Sequence, residues 1–231
     1  MIRVLPLSLA FAYAAVVGCS NAPGKPKPVV NDGVPTPVMA FAPLYSTYCA
    51  GCHGAEGKLG PAPPLNDPLF LKIISDEELT SVVANGRSGT SMPAFLLSKG
   101  GLLNAAQVKV LVEGLRSQWS KPEYPGDVPT LSGTLGDVER GKSLFTMACA
   151  SCHGEDGKGG TFEGQPVGAI NEPAFLTLST NAVLRRLIIT GRPDLGMPNF
   201  AGKSGRPAGF KPLTNSDVSD LAAVLASWRR P

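Results

Sequence analysis

The chain has 231 residues, a formal net charge of +3 and 17% charged residues. So small a positive charge excludes the strongly basic surface that is typical of a nucleic-acid-binding protein. The composition also limits metal and redox chemistry, because the whole chain contains five cysteines and two histidines.

The first residues are typical of a secretory signal. Arg3 precedes an apolar run that ends at Val16-Val17-Gly18-Cys19, and this run of about 14 residues is short for a membrane span but suits a signal peptide. The closing tetrapeptide resembles the lipobox of bacterial lipoproteins. We therefore expect residues 1–18 to be removed and Cys19 to carry the lipid that anchors the exported protein to a membrane facing the periplasm or cell exterior. The alternative is a plain secretory signal that leaves Cys19 as a free thiol.

Residues 19–39 are rich in proline and contain little that would pack in a core. A largely extended segment of roughly 20 residues, at about 3 Å each, reaches roughly 60 Å. The composition therefore predicts a tether that holds the folded part of the chain away from the membrane. The alternative is a disordered segment whose length is not tuned.

Two short motifs dominate the rest of the chain, and they read Cys49-Ala50-Gly51-Cys52-His53 and Cys149-Ala150-Ser151-Cys152-His153. Cys-x-x-Cys-His is the covalent attachment motif of c-type haem, in which both thiols bond the porphyrin and the histidine is the proximal iron ligand. A bare Cys-x-x-Cys would also suit zinc or thiol–disulfide exchange, but those sites need further ligands or a reactive thiolate beside a βαβ unit. Because both histidines belong to these motifs, the sequence predicts two covalently bound haems c.

The motifs begin 100 residues apart, at Cys49 and Cys149, which is the size of one small domain. Their surroundings repeat as well, because Asn66-Asp67-Pro68-Leu69-Phe70 recurs as Asn171-Glu172-Pro173-Ala174-Phe175. This pattern indicates a duplication. We expect one domain over residues 40–120, a second over 132–231, and a linker rich in proline and glycine at 121–131 between them.

Each domain is predicted to be a set of helices around its cofactor, and no segment alternates convincingly as a strand. The helix that leads into the second motif has Asp137 as its N-cap. Glycine should end the next helix in each domain, and the last helix should begin with a capping box. The glycines expected to end the helices are Gly86 and Gly191. The expected capping boxes are Asn104 with Gln107 and Thr214 with Asp217. The expected fold class is all-α.

With these elements in place, each half resembles a class I c-type cytochrome, and the pair resembles a small two-haem cytochrome. The resemblance covers nearly all of the chain beyond the tether. It implies that the first and last helices of each domain cross, at Phe41 and Tyr45 in the first and at Gly141 and Phe145 in the second. Phe41 departs from the usual small residue, so we expect the first domain to cross at a wider spacing or to pack differently.

The resemblance also implies that a backbone carbonyl accepts a hydrogen bond from Nδ1 of the proximal histidine. The candidates for that carbonyl are Pro61 in the first domain, with Pro63 and Pro64 competing, and Pro166 in the second. Arg87 and Arg192 occupy equivalent positions further along the two halves, where a guanidinium suits bidentate pairing with a haem propionate. The alternative for both is an ordinary solvated arginine.

The sixth iron ligand is less directly specified. No histidine is left over, so the candidates are a methionine sulfur, a lysine nitrogen or a vacancy. Methionine is the best supported, because Met92 and Met197 lie in loops with glycine and are each followed by proline, which stiffens the loop. We expect Met39 and Met147 to serve only in packing.

Two haems with His/Met ligation leave no open position for a substrate, so we expect electron transfer, no enzyme activity and no small-molecule substrate. The leading hypothesis is a membrane-tethered carrier that passes electrons from a quinol-oxidising complex to a terminal oxidase or another periplasmic acceptor. An alternative is an electron-transfer subunit held permanently in a larger respiratory or dehydrogenase complex. A third is a haem enzyme, such as a two-haem peroxidase or thiosulfate dehydrogenase. In the first two hypotheses the partners are other redox proteins.

Overall fold

The computed structural model describes residues 37–120 and 127–229, and those from Val38 onward form one compact unit. The predicted signal peptide, Cys19 and all but the last three residues of the predicted tether lie outside the described residues, as do 121–126 of the predicted linker. Within the two described ranges, no helix combines the length and the apolar character needed to cross a bilayer.

Residues 37–120 form short helices around an apolar core. These are α1 (Phe41–Tyr48), α2 (Ala50–His53), α3 (Pro68–Ile73), α4 (Asp76–Asn85) and α5 (Ala105–Trp119). Asp67 begins α3, because its carboxylate accepts hydrogen bonds from the backbone N–H groups of Leu69 and Phe70 at 2.9 and 3.1 Å. Pro68 then fits the first helical position, where no backbone donor is needed. The core includes Leu44, Tyr45, Phe70, Leu79, Leu103 and Leu111.

The second half repeats this order of helices and adds a hairpin. Its elements are α6 (Val138–Ala148), α7 (Ala150–His153), β1 (Gly160–Phe162), β2 (Gln165–Val167), α8 (Pro173–Leu178), α9 (Asn181–Thr190) and α10 (Asn215–Ser227). The strands are antiparallel, with Gly160 opposite Val167. Glu163 and Gly164 connect them, both with positive φ, at 49° and 76°. The sequence did not predict this hairpin, because three-residue strands show no periodicity and Glu-Gly is not the usual turn pair.

The predicted helix boundaries are confirmed. Gly86 and Gly191 follow the last residues of α4 and α9 with φ of 70° and 66°, values that favour glycine. Both last helices begin with the expected capping box, Asn104 with Gln107 and Thr214 with Asp217. Asp137 caps α6 by accepting a hydrogen bond from the backbone N–H of Arg140.

The first and last helices of each half cross closely, but the small residue lies on opposite helices in the two halves. In the second half Gly141 of α6 lies against α10, and a β-carbon there would approach the Asp220 carbonyl oxygen to 2.3 Å. In the first half the glycine is Gly114 of α5, and the ring of Phe41 lies on it. The first domain therefore packs differently at this crossing, which is one of the two expected outcomes, because Gly114 makes the room that Phe41 needs.

Candidate haem sites

The first motif lies on one tight turn at the end of α1. The Cys49 N–H donates to the Tyr45 carbonyl at 2.9 Å, and the His53 N–H donates to the Cys49 carbonyl at 3.0 Å. Gly54, with φ of 82°, ends the turn directly after the histidine. Because residues three apart on a helical turn share a side, the thiols of Cys49 and Cys52 lie near each other and near the imidazole.

The ring of His53 is fixed by the loop that follows. Its Nδ1 is 2.8 Å from the Pro63 carbonyl oxygen, which can only accept, so Nδ1 carries the proton and Nε2 keeps its lone pair. Burial lowers the pKa of His53 to about 4, against the hydrogen bond to Pro63, which raises it. The imidazole is therefore neutral at pH 7, as an iron ligand must be. The carbonyl left open by the sequence among three prolines is that of Pro63.

The second motif forms the same kind of turn, at the end of α6, but the ring of its histidine has a different hydrogen-bonding environment. Cys149 N–H donates to the Phe145 carbonyl at 2.8 Å, and Gly154 ends α7 with φ of 71°. Burial lowers the pKa of His153, and the nearby Gly168 backbone opposes that shift. Nevertheless Nδ1 of His153 is buried without a hydrogen bond of normal geometry within the described residues. The two proximal sites are thus equivalent in position but not in detail.

The chemistry of the four motif thiols fits haem attachment better than redox exchange. Burial raises the pKa of Cys49 to about 12 and that of Cys149 to about 11, so neither is the reactive thiolate that exchange requires. None of the four forms a disulfide with another described residue. Each turn therefore offers two adjacent thiols for the porphyrin and one neutral nitrogen for the iron, which is the donor set of a c-type haem.

The predicted methionine loops share one backbone hydrogen bond in the two halves. In the first, the Arg87 N–H donates to the Met92 carbonyl at 3.1 Å, and in the second the Arg192 N–H donates to the Met197 carbonyl at 3.1 Å. Each loop follows the glycine that ends α4 or α9, and both methionine side chains are half-buried. The structure thus places Met92 and Met197 at matching positions.

The other two methionines differ from expectation. The side chains of Met39 and Met147 are 49% and 43% exposed, so the predicted packing role in a core is wrong for both. Met39 lies in the segment before α1, and Met147 lies on the outer side of α6, next to the motif that the helix delivers. Neither lies in a loop that resembles those of Met92 and Met197.

The two halves meet at the loop that holds His53. Asp194, in the second methionine loop, accepts a hydrogen bond from the Leu59 N–H at 2.9 Å. Arg192 pairs with both carboxylate oxygens of Asp194 at 3.0 and 2.9 Å and donates to the Gly60 carbonyl at 3.1 Å. A solvated Arg192 is therefore excluded, because its side chain is 13% exposed and is bonded to Asp194 and to the Gly60 carbonyl. Burial lowers the pKa of Arg87, its equivalent in the first half.

Arg186 also contributes to the contact between the two halves, and it was not predicted from the sequence. Its guanidinium, on α9, lies 3.4 Å from the ring centroid of Phe70 and donates to the Pro64 carbonyl. Only 6% of the residue is exposed. The signal available in the sequence was an arginine pair, Arg185 and Arg186, in the middle of an otherwise amphipathic helix, where the first half has Thr80 and Ser81.

The comparisons with known proteins agree with this arrangement. The family model described as Cytochrome C oxidase, cbb3-type, subunit III matches the chain twice, at residues 37–113 and 136–213. The Cbb3-type cytochrome c oxidase subunit FixP of Sinorhizobium medicae is 31% identical over 138 residues, which are 56% of this chain and 43% of that protein. The subunit CcoP of Azospirillum brasilense is 27% identical over 206 residues, 81% and 62% of the two chains. CcoP of Cereibacter sphaeroides is 31% identical over 199 residues, 80% and 59%.

The chain spans about half the length of the curated relatives it matches. Each of the two family matches nevertheless contains one complete Cys-x-x-Cys-His turn and one methionine loop. The chain is a c-type cytochrome with two tandem domains and two covalently bound haems, and it belongs to the family of cbb3-type cytochrome c oxidase subunit III.

Proposed function

We propose that this chain is an electron-transfer cytochrome that delivers single electrons to a membrane-bound terminal oxidase. In this proposal one histidine and one methionine would bind the iron of each haem. The first is held by Cys49, Cys52, His53 and Met92, and the second by Cys149, Cys152, His153 and Met197. The observation that carries the proposal is that both halves combine a neutral imidazole, two adjacent thiols and a methionine loop with a matching arginine-to-methionine backbone bond.

When bound, the haem iron supplies one-electron chemistry between its ferrous and ferric states. The protein's task is to keep both axial donors in place in both states. Pro63 does this for His53, because its carbonyl fixes the tautomer and orientation of the ring. Pro93 and Pro198 stiffen the backbone directly after the two methionines. Thioether ligation favours the reduced state and leaves no position for a substrate.

Apolar side chains behind the methionine loops exclude water from the proposed sites. Phe200 is 3% exposed, and its N–H donates to the Ile189 carbonyl at 2.9 Å, which ties the second loop to α9. Phe95 makes the equivalent bond to the Val83 carbonyl at 3.3 Å. A dry environment disfavours the more charged oxidised centre and so raises the potential.

The partner in this proposal is an oxidase rather than a freely diffusing protein. The relatives named above are subunits of a cbb3-type oxidase, which favours a subunit or tightly associated donor over a mobile carrier. Oxygen reduction would then occur on another chain, and this chain would have no enzyme activity of its own. Because the match covers about half of those relatives, the proposal extends to their electron transfer and not to their complete role.

We also propose that a lipid on Cys19 holds the protein at a membrane on its periplasmic or exterior side. The support is the sequence alone, namely the basic residue, the apolar run and the lipobox-like ending at Cys19. Several acyl chains hold a protein at a bilayer far more firmly than one. The anchor would restrict the haem domains to the vicinity of a membrane-bound oxidase.

The proposal is tested with the mature, haem-loaded protein. A redox titration should show two one-electron transitions, and the ferric spectrum should show the methionine-to-iron charge-transfer band for both haems. The reduced protein should then be oxidised by membranes that contain a cbb3-type oxidase, in a reaction that needs oxygen. Rapid binding of cyanide by either haem would contradict the proposed ligation, and failure of the oxidase to accept electrons would contradict the proposed partner.

A further inference from the structure

Arg186 is a buried cation that the proposed electron transfer has not yet used. It belongs to the second half, yet its contacts are with the first: the ring of Phe70 and the carbonyl of Pro64. Its Nε has no hydrogen-bond partner among the described residues. A buried guanidinium is costly unless it is compensated. Arg186 is therefore a buried and incompletely bonded cation at the contact between the two haem domains.

The charged groups around Arg186 are three arginines and three carboxylates. Asp67 opposes the charge of Arg186, and Glu78 opposes that of Arg87. Asp194 is committed to its bidentate pair with Arg192. Arg87 and Arg192 add charge of the same sign, and together with Arg186 they disfavour protonation of His53. The charges that act on His53 are thus those of the three arginines, and all three are positive.

Arg186 is also linked to His53 by two successive carbonyl groups. The Pro63 carbonyl accepts from His53 Nδ1 at 2.8 Å, and the next carbonyl, that of Pro64, accepts from Arg186. The short segment that orients the imidazole is thus held from its other side by the second domain. Two prolines make this segment stiff, so a displacement at one carbonyl is passed to the other.

We propose that Arg186 is a positioning residue of the second domain that holds the Pro63–Pro64 segment against His53 and raises the midpoint potential of the first haem. This inference rests on the proposed function, because it takes His53 as an axial ligand. A fixed positive charge disfavours the oxidised centre, which carries one more positive charge than the reduced centre. Low solvent exposure strengthens the effect, because little water screens the charge.

The second haem has no such residue, since the position equivalent to Arg186 in the first half is Ser81. Nδ1 of His153 faces the Gly168 backbone without a hydrogen bond of normal geometry among the described residues, whereas Nδ1 of His53 bonds the Pro63 carbonyl at 2.8 Å. The first half therefore supplies no counterpart of Arg186 to the second haem. By this device two copies of one fold acquire different potentials.

The test is a redox titration of Arg186→Gln in the full chain with both haems attached. Replacing Met197 by alanine in the same protein moves the second haem to lower potential, so that the first haem titrates alone. We expect the ratio of reduced to oxidised first haem at a fixed potential to fall about tenfold, which corresponds to about 59 mV for one electron. Arg186→Lys keeps the charge and should retain most of the potential of the parent.

The matched control is Arg185→Gln. Arg185 is as buried as Arg186, but it bonds within the second half, to the Thr130 carbonyl at 2.7 Å and to Ser219 Oγ at 2.8 Å. The Arg185→Gln variant should have the same first-haem midpoint potential as the parent. If Arg186→Gln does not accumulate, Arg186→Met gives the same test, because methionine keeps a long side chain on Phe70 without the charge.

The outcomes separate this inference from the proposed function. An unchanged first-haem potential in Arg186→Gln or Arg186→Met overturns the inference, and so does an equal fall in the Arg185 control. A fall in Arg186→Lys as large as that in the neutral variants overturns the role of the charge. A failure of the proposed function is seen in the parent protein instead, as a missing methionine-to-iron band.

Discussion

The ring of Phe41 lies so close to Gly114 that a β-carbon on this glycine would be 2.0 Å from Phe41 Cδ2. Gly114→Ala should therefore lower the free energy of unfolding by about 1–3 kcal/mol through overpacking, although alanine is the better helix former by about 1 kcal/mol. Chemical denaturation of the haem-loaded protein measures this effect. In the double variant with Phe41→Ala the penalty should largely disappear, because the two residues are in contact. Additive penalties would contradict the role of the crossing.

The methionine loops give a second prediction. Met92→Ala and Met197→Ala should each remove the methionine-to-iron band of one haem and lower that haem's midpoint potential, while the haem stays covalently attached. Redox titration followed by visible spectroscopy measures both effects. Met147→Ala is the control, because that side chain is 43% exposed and lies outside the loops. If either loop variant behaves like the Met147 variant, that methionine is not a ligand.

The start of α10 predicts a dependence of stability on pH. Burial raises the pKa of Asp217, but hydrogen bonds from Thr214 and the charge of Arg140 outweigh it and hold the pKa below its usual range. The folded-state pKa is thus lower than the unfolded value of about 4. The associated stability is complete above that unfolded value and is lost as the pH falls through the folded one.

Asp217→Asn should therefore weaken the dependence of unfolding on pH in this acidic range. Denaturant unfolding at a series of pH values measures it. Glu139→Gln is the control, because the Glu139 side chain is 78% exposed and forms an ion pair with Lys142, three residues along α6. An Asp217 variant that keeps the acid dependence of the parent would refute the assignment.

The proposed anchor is tested by Cys19→Ser. Without a thiol to carry lipid, the mature protein should move from the membrane fraction to the soluble fraction, with both haems still attached. Fractionation followed by a haem stain measures this. The control is Asn21→Ser, analysed by the same fractionation, and this variant should stay in the membrane fraction. Retention of the Cys19 variant at the membrane would mean that other contacts hold it there.

Much of the fold was predictable because its signals are local. The two attachment turns, the capping boxes and the glycines that end α4 and α9 each depend on residues within a few positions of one another. The helices α3 and α8, at Pro68–Ile73 and Pro173–Leu178, were not assigned from sequence, since six residues give little periodicity.

The parts of the site that the sequence did not predict depend on distant contacts. Arg186 and Pro64 are 122 residues apart, and nothing local to either residue indicates the other. The role of the Pro63 carbonyl could not be separated from those of its neighbours, because all three candidates lie within four residues of one loop. Nothing in the sequence around Gly114 indicates its contact with Phe41, which is 73 residues away.

The contact between the two halves has a direction. Arg186 and Asp194 of the second half reach the loop at Leu59–Pro64 of the first, but the corresponding positions of the first half are Ser81 and Gly89, which have neither the length nor the charge to reach a further neighbour. The two copies are therefore not interchangeable: the second supports the histidine loop of the first, and the first returns no such support.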